Sequence, residues 1–240
     1  MAAEDVAKVN DGACQISLAR ARDMGAEASG VTGFYGPRAQ QRQLLQTAEV
    51  LCANFAQTRL PKARAIYEIG CGLGLLSSLL ALRGLDVVGI ERNGARLASA
   101  KAIAEKVLGD MRTPRWVKGV YPGVLLRGHG LDASVALVTN LLGSATLEQQ
   151  SNFVSALSAF GAVVIDVQRF YVRRTSPAQI AELTAMFASA GFDAPRLAFD
   201  LGPDGRFLLF TNPRPRRRPG VSAILSRLGA SRREPLFLDD

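Results

Sequence analysis

Three closely spaced glycines and two glutamates form the stretch of this sequence best suited to chemistry. Gly70, Gly72 and Gly74 alternate directly after an apolar run over residues 65–69. A turn from a strand straight into a helix needs positive φ and a backbone that a ligand can approach, and glycine supplies both. Glu91 follows about 20 residues after Gly70, at the end of the next apolar run, where a carboxylate accepts the hydroxyls of an adenosine ribose. The pattern predicts a nucleotide-type ligand site.

The glycine spacing argues against a dinucleotide. The fingerprint of NAD-binding folds is G-x-G-x-x-G, but Leu75 stands where the third glycine of that pattern would fall. Hydride transfer to or from NAD is therefore disfavoured.

The segment Glu68-Ile-Gly-Cys-Gly-Leu-Gly74 resembles motif I of the class I S-adenosylmethionine (SAM)-dependent methyltransferases, and Glu91 matches the acidic residue that ends their second strand. The resemblance implies SAM as cofactor, with the glycine loop against its methionine part, Glu68 at its ammonium group and Glu91 at its ribose. The cofactor-binding residues expected from it are Glu68, Gly70, Cys71, Gly72, Gly74, Glu91, Arg92 and Asn140. Cys71 reads either as a small residue tolerated beside the ligand or as a reactive thiol.

Adenine recognition departs from the family pattern. The family often places an acidic residue after the third strand to hold the adenine amine, whereas this chain reads Val-Lys-Gly-Val-Tyr over 117–121. Val120 or Tyr121 is expected to supply an apolar or stacking contact instead.

The acceptor side has four candidate catalytic residues. Asn140 follows the apolar strand predicted over 134–139, and Gln168 and Arg169 follow the strand predicted over 162–167, with Tyr171 close behind; these are places where ligands of open α/β sheets bind. Tyr35, next to Phe34 between glycines, suits a closing lid. An ordinary turn or strand exit explains each position equally well, and no general base is identified.

Three further features of the sequence limit the reactions and sites that we expect. Asn140-Leu-Leu-Gly143 lacks the Asn/Asp-Pro-Pro-aromatic tetrapeptide that methyltransferases of exocyclic base amines share, which disfavours methylation of adenine N6. His129, the single histidine, precedes a strand and so belongs to the opposite edge of the sheet. With Cys14, Cys52 and Cys71 as the only cysteines and no C-x-x-C spacing, we predict no metal site and no disulfide framework.

The elements that must position these residues alternate between strands and helices. They predict an α/β fold: a doubly wound, seven-stranded, mostly parallel sheet with a terminal antiparallel hairpin and helices on both faces. Asn93 is expected to cap a helix over 94–108, and Thr146-x-x-Gln149 and Ser176-Pro-x-Gln179 to start two more as capping boxes. A helix is predicted over 40–58 from its apolar stripe.

Composition divides the 240 residues into three parts. We expect an N-terminal helical and lid segment over 1–61, a Rossmann-like core over 62–212 and an Arg/Pro-rich tail over 213–240. The tail holds seven arginines against three acids and so supplies +4 of the net charge of +8, leaving the core only mildly basic. No secretory signal or apolar run of membrane-spanning length is visible, so a cytoplasmic location is expected.

The leading hypothesis for function is a SAM-dependent methyltransferase acting on an O or N atom of a small molecule, because no separate nucleic-acid-binding module is evident. One alternative is an RNA or protein methyltransferase that docks through the basic tail. Another is a SAM-binding regulatory or scaffold protein without turnover, and a third is a different nucleotide-dependent α/β enzyme. The sequence leaves the oligomeric state open.

Overall fold

The computed structural model describes residues 47–54 except 49, 63–109, 113–124, 126, 130–139, 146–167, 176–200 and 206–213. Residues 47, 48 and 50–54 are helical, within the helix predicted over 40–58. The proposed lid and the Arg/Pro-rich tail from residue 214 onward lie outside the described residues, so the three-part division of the chain stays a prediction.

Seven strands and four helices alternate along the described core, with a short 3-10 helix at Leu131–Ala133. The strands are β1 Ile66–Ile69, β2 Val87–Glu91, β3 Arg115–Lys118, β4 Val135–Val138, β5 Ala162–Asp166, β6 Arg196–Asp200 and β7 Arg206–Thr211. The helices are α1 Leu75–Leu82, α2 Gly94–Leu108, α3 Leu147–Leu157 and α4 Pro177–Ser189.

The strands form one sheet in the order β3-β2-β1-β4-β5-β7-β6. Strands β1 to β5 pair in parallel, and β7 runs antiparallel to both β5 and β6. The predicted fold class, a mostly parallel sheet closed by an antiparallel hairpin, is confirmed. Strand order reverses between β1 and β4, and in open α/β sheets ligands bind at the carboxyl ends of the strands near such a reversal.

Both faces of the sheet are covered, which explains why its central strands are mostly apolar. Alternate residues of each strand point to opposite faces. On one face, Tyr67, Val88 and Ile165 pack with apolar residues of α3 and α4. On the other, Ile66 and Val164 pack with residues of α1, α2 and the helical residues near Leu51. Full burial of one such side chain contributes about 1.5 to 3 kcal/mol.

Side-chain caps fix where three helices start. Asn93 accepts hydrogen bonds from the N–H groups of Ala95 (2.9 Å) and Arg96 (3.0 Å), which confirms it as the cap of α2. Both predicted capping boxes are present, Thr146 with Gln149 at α3 and Ser176 with Gln179 at α4. Since α2 begins directly after β2, the Asn93 cap also fixes the position of the chain that carries Glu91.

Among the helices of the described residues, none combines the length and the apolar character needed to cross a membrane.

Candidate functional site

The glycine loop is a tight turn bound to strand β2. Gly70, Gly72 and Gly74 have φ values of 74°, 56° and 65°, in the left-handed region that favours glycine. The N–H groups of Gly70 and Cys71 both donate to the Ile90 carbonyl, at 2.8 and 3.0 Å. The loop predicted from the sequence therefore forms, and its conformation depends on hydrogen bonds to the neighbouring strand.

Glu91 joins this loop to the start of helix α2. Its side chain is buried, and Oε2 accepts from the Gly72 N–H at 2.9 Å while Oε1 accepts from the Asn93 N–H at 2.8 Å. Each carboxylate oxygen offers about two lone-pair positions, so both oxygens keep capacity for a further donor such as a hydroxyl. The carboxylate is thus held in a fixed orientation at the carboxyl end of β2, as a diol ligand requires.

Glu68 lies on the neighbouring strand β1 in a different environment. Its side chain is only 3% exposed, and Oε2 accepts a short hydrogen bond from the Ser77 hydroxyl in the first turn of α1. Burial raises the pKa of the Glu68 carboxyl to about 7, against hydrogen bonds from Ser77 that lower it, and the nearby Glu91 raises it further. A cation that binds next to this buried carboxyl group would stabilise its charged form.

Cys71 is a packing residue within the loop. Burial raises the pKa of its thiol, and Glu68 and Glu91 raise it further, so the sulfur stays protonated near neutral pH. Of the two interpretations of this cysteine, the structure supports the small buried residue over the reactive thiol.

Gly74 has a role that the sequence did not predict. A Cβ built on Gly74 would lie 2.4 Å from Trp116 Cη2, and one built on Gly89 of β2 would lie 2.6 Å from Trp116 Cζ3. The Gly74 N–H is donated to the Cys71 carbonyl at 2.8 Å. The missing side chain of Gly74 therefore makes room for the indole ring, and the expected contact of Gly74 with the cofactor stays a prediction.

Trp116 was missed as a site-forming residue. It is the single tryptophan of the chain and lies in the middle of the edge strand β3, facing the glycine loop from the helix α1 and α2 side. A signal existed in the sequence, because two glycines in neighbouring elements and one large ring on the next strand are complementary in volume. Spacing alone does not reveal which glycine faces a ring and which faces a ligand.

The expected stacking role of Tyr121 is wrong. Its ring is 2% exposed and packs edge-on against Phe153, and its hydroxyl donates to the Ala156 carbonyl at 2.6 Å. A side chain bound to helix α3 in this way has no free face for adenine. Val120 is half-buried next to Gly119, whose N–H donates to the Glu91 carbonyl at 3.0 Å, and its apolar contact with adenine stays a prediction.

The remaining predicted site residues divide into two groups. Arg92 is described and exposed, directly after Glu91. The candidates on the acceptor side lie outside the described residues, as do Phe34, His129 and Tyr171; those candidates are Asn140, Gln168, Arg169 and Tyr35. Thr139 and Val167 are the last described residues after β4 and β5, and the buried Asp166 ends β5. The described residues contain no cluster of three or more potential metal-ligating side chains.

The described arrangement can bind a ligand that carries both a diol and a cation. Glu91, oriented by two backbone N–H groups, presents acceptors at one side of the glycine loop. Glu68, buried on the neighbouring strand β1 and hydrogen-bonded to Ser77, is a second acidic group close to the loop. SAM and S-adenosylhomocysteine (SAH) have both groups, a ribose diol and a methionine-type ammonium, so the residues present fit that cofactor.

Comparison with known proteins identifies the fold. The sequence matches no family model and no curated protein. Magnesium protoporphyrin IX methyltransferase from Synechocystis PCC 6803, solved with bound SAM, superposes with a TM-score of 0.59 at 17% identity, over 82% of this chain and 96% of that one.

Two other solved structures are similar over a smaller part of the chain. The methyltransferase domain of bacterial CtHen1 gives a TM-score of 0.53 at 17% identity, over 71% of this chain and 98% of that chain. A methyltransferase from Pyrococcus furiosus gives 0.50 at 17% identity, over 65% and 79%. Together with the strand order, these similarities show that the chain has the fold of the class I SAM-dependent methyltransferases.

Proposed function

We propose that this protein is a SAM-dependent methyltransferase that methylates an O or N atom of a small-molecule acceptor. The observation that carries the proposal is the pair of buried glutamates, Glu68 and Glu91, near the carboxyl ends of the neighbouring strands β1 and β2. Hydrogen bonds fix one carboxylate for a diol, and burial prepares the other for a cation. The fold alone does not require two buried glutamates at these positions.

The roles of the residues follow from their environments. Glu91 accepts the two ribose hydroxyls through the oxygens that Gly72 and Asn93 hold in place. Glu68 receives the ammonium group. The loop backbone at Gly70 and Gly72, with no side chains in the way, forms the wall against the methionine part. Gly74 and Cys71 support that wall from behind.

The protein's part in such a reaction is mainly positioning. SAM supplies an electrophilic methyl group on a sulfonium, and a nucleophile needs to lie in line with the S–CH₃ bond at near-contact distance, in a site that excludes water. Residues that follow β4 and β5 would bind the acceptor, because β4 lies beside β1 and β5 lies beside β4, with their carboxyl ends at the same edge of the sheet. Asn140, Gln168, Arg169 and Tyr35 are the proposed acceptor-side residues.

A small-molecule acceptor is favoured because the basic charge is concentrated in the tail, while the core that carries the site is only mildly basic. The seven arginines of residues 213–240 support a second candidate, methylation of an RNA or a protein that docks on the tail.

The test is transfer of label from methyl-labelled SAM into a cell extract divided into small-molecule, RNA and protein fractions. Label in the small-molecule fraction, with formation of SAH, is the expected result. Label in RNA or protein would support the second candidate instead. Binding of SAH without transfer into any fraction would indicate a non-catalytic SAM-binding protein. The matched control is Glu91→Gln, which should reduce labelling in whichever fraction receives it.

A further inference from the structure

We propose that Ser77 is a positioning residue for the cofactor's ammonium site, and that binding of SAM or SAH at Glu68 releases a proton. The inference rests on the proposed function and deepens it. It assigns a role to a helix residue outside the glycine motif and gives cofactor binding a pH dependence that neither the motif nor the fold implies.

The geometry around Glu68 supports both parts. Ser77 is fully buried, one turn into α1, and its hydroxyl reaches back to Oε2 of Glu68 on β1. A hydroxyl both donates and accepts, so it pairs with a carboxylate or with a carboxylic acid. The backbone N–H of Ser77 also hydrogen-bonds to Glu68 and favours its ionised form. The hydroxyl can stay hydrogen-bonded to Glu68 in either protonation state of the carboxyl group.

The surrounding charges favour the neutral form until a cation arrives. Glu91 on β2 is the charged group of the described residues that acts on Glu68, and it opposes ionisation. Cys71 on the loop is a neutral thiol. The pKa of Glu68, about 7, lies above its ordinary value of 4.5. An ammonium group placed against this carboxylate stabilises the charged form, so its pKa falls on binding and the proton leaves.

The direction of the pH effect follows from this shift. Below about pH 7 the free protein holds a proton on Glu68 that the complex does not hold. The affinity for SAH should therefore fall as pH decreases below 7, by at most about tenfold per pH unit. Titration of the ligand's own α-amino group contributes little below pH 7, because a free α-amino group titrates near pH 8.

Calorimetric titration of the full-length protein with SAH at about pH 6 measures the effect. Repeating the titration in buffers of different ionisation enthalpy gives the number of protons released. We expect close to one proton for the wild type and none for Glu68→Gln. Ser77→Ala should move the release profile to higher pH, because the variant loses the hydroxyl hydrogen bond that lowers the Glu68 pKa and keeps only the backbone one.

Ser78→Ala is the matched control for Ser77→Ala. Ser78 is also fully buried in the first turn of α1, but its hydroxyl donates to the Gly74 carbonyl at 2.8 Å and not to Glu68. A purely structural effect of losing a buried serine hydroxyl would change affinity in both variants and leave the proton count unchanged. We expect Ser78→Ala to keep the wild-type release profile.

The outcomes separate this inference from the proposed function. Absence of SAM and SAH binding by the wild type would overturn the proposed function, and this inference with it. Binding by the wild type with no proton release between about pH 5.5 and 7 would overturn this inference alone. If Ser77→Ala does not fold, Glu68→Gln carries the test, and unchanged proton release in that variant would contradict the assignment.

Discussion

Two sets of contacts around the glycine loop differ in chemistry. The polar set consists of Glu68 and Glu91, buried glutamates that accept hydrogen bonds from Ser77 of α1 and from the Gly72 and Asn93 N–H groups. The apolar set is the ring of Trp116, which fills the space left by Gly74 and Gly89. The comparison teaches that residues around one loop meet two needs: the glutamates are the proposed ligand-binding groups, and the glycines allow close approach of a core ring. Substitutions in the two sets should therefore have separable effects.

We expect the largest effect from Glu68→Gln, which should change the free energy of unfolding of the ligand-free protein. The folded-state pKa of Glu68 is raised, so its stabilising contribution is complete below about pH 4.5 and is lost as pH rises through about 7. A neutral glutamine avoids this loss. The free energy of unfolding of the variant should exceed that of wild type by an amount that grows as pH rises from 5 to 8, reaching on the order of 3 kcal/mol.

Urea unfolding of both proteins at several pH values measures this difference. Glu105→Gln, which neutralises an exposed glutamate on α2, is the control and should show little pH-dependent change. Parallel stability curves for wild type and Glu68→Gln across this range would show that Glu68 is not held in a charge-disfavouring site.

Among the apolar contacts around Trp116, Gly89→Ala should destabilise the fold by about 2 kcal/mol, because an added Cβ overpacks a filled region. That Cβ would lie 2.6 Å from the Trp116 ring and 2.9 Å from Cys71 Sγ. Trp116→Leu in the same chain should relieve part of the clash, so the double variant should be more stable than the sum of the single effects. Strict additivity in denaturant unfolding would contradict the contact.

Glu91→Gln should weaken SAH binding by about 1 to 2 kcal/mol, with a smaller loss of stability. An amide retains one acceptor oxygen, whereas the carboxylate uses two to hold Gly72 and Asn93 and to face the diol. Calorimetry at pH 7.5 measures the affinity, and Glu105→Gln again serves as the control. An unchanged dissociation constant would remove Glu91 from the site.

The smallest effect is expected from removal of residues 214–240. SAH affinity should stay within about 0.5 kcal/mol of wild type, since surface segments away from a site contribute little. Fluorescence of Trp116, which lies behind the loop, offers a second readout of loop integrity. Collapse of affinity on truncation would place the tail within the domain and show that the boundary near residue 213 is wrong.

Local patterns predicted much of the fold and the conformation of the glycine loop. The apolar runs, the Asn93 cap and the two capping boxes depend on neighbouring residues, and all were found where the sequence placed them. The positive φ values in the glycine loop likewise follow from residue type. These features depend on residues that are close together in the chain, so they can be predicted directly from the sequence.

Features that depend on distant packing were not predictable in the same way. Tyr121 follows β3, as a stacking residue would, yet its ring packs against Phe153 on a helix far along the chain. Gly74 and Trp116 are brought together only by the pairing of β3 with β2. The pKa of Glu68 depends on burial and on Ser77 from another element. In each case a residue's role follows from its neighbour in space.

Calorimetric titration of the purified protein with SAH, with NAD as the competing ligand, tests the central claim most directly. The account predicts micromolar binding of SAH and no detectable heat with NAD, because Glu68 and Glu91 match an ammonium and a diol while the glycine spacing does not suit a dinucleotide. Binding of NAD, or of neither ligand, would contradict the assignment of the glycine loop and its two glutamates as a SAM site.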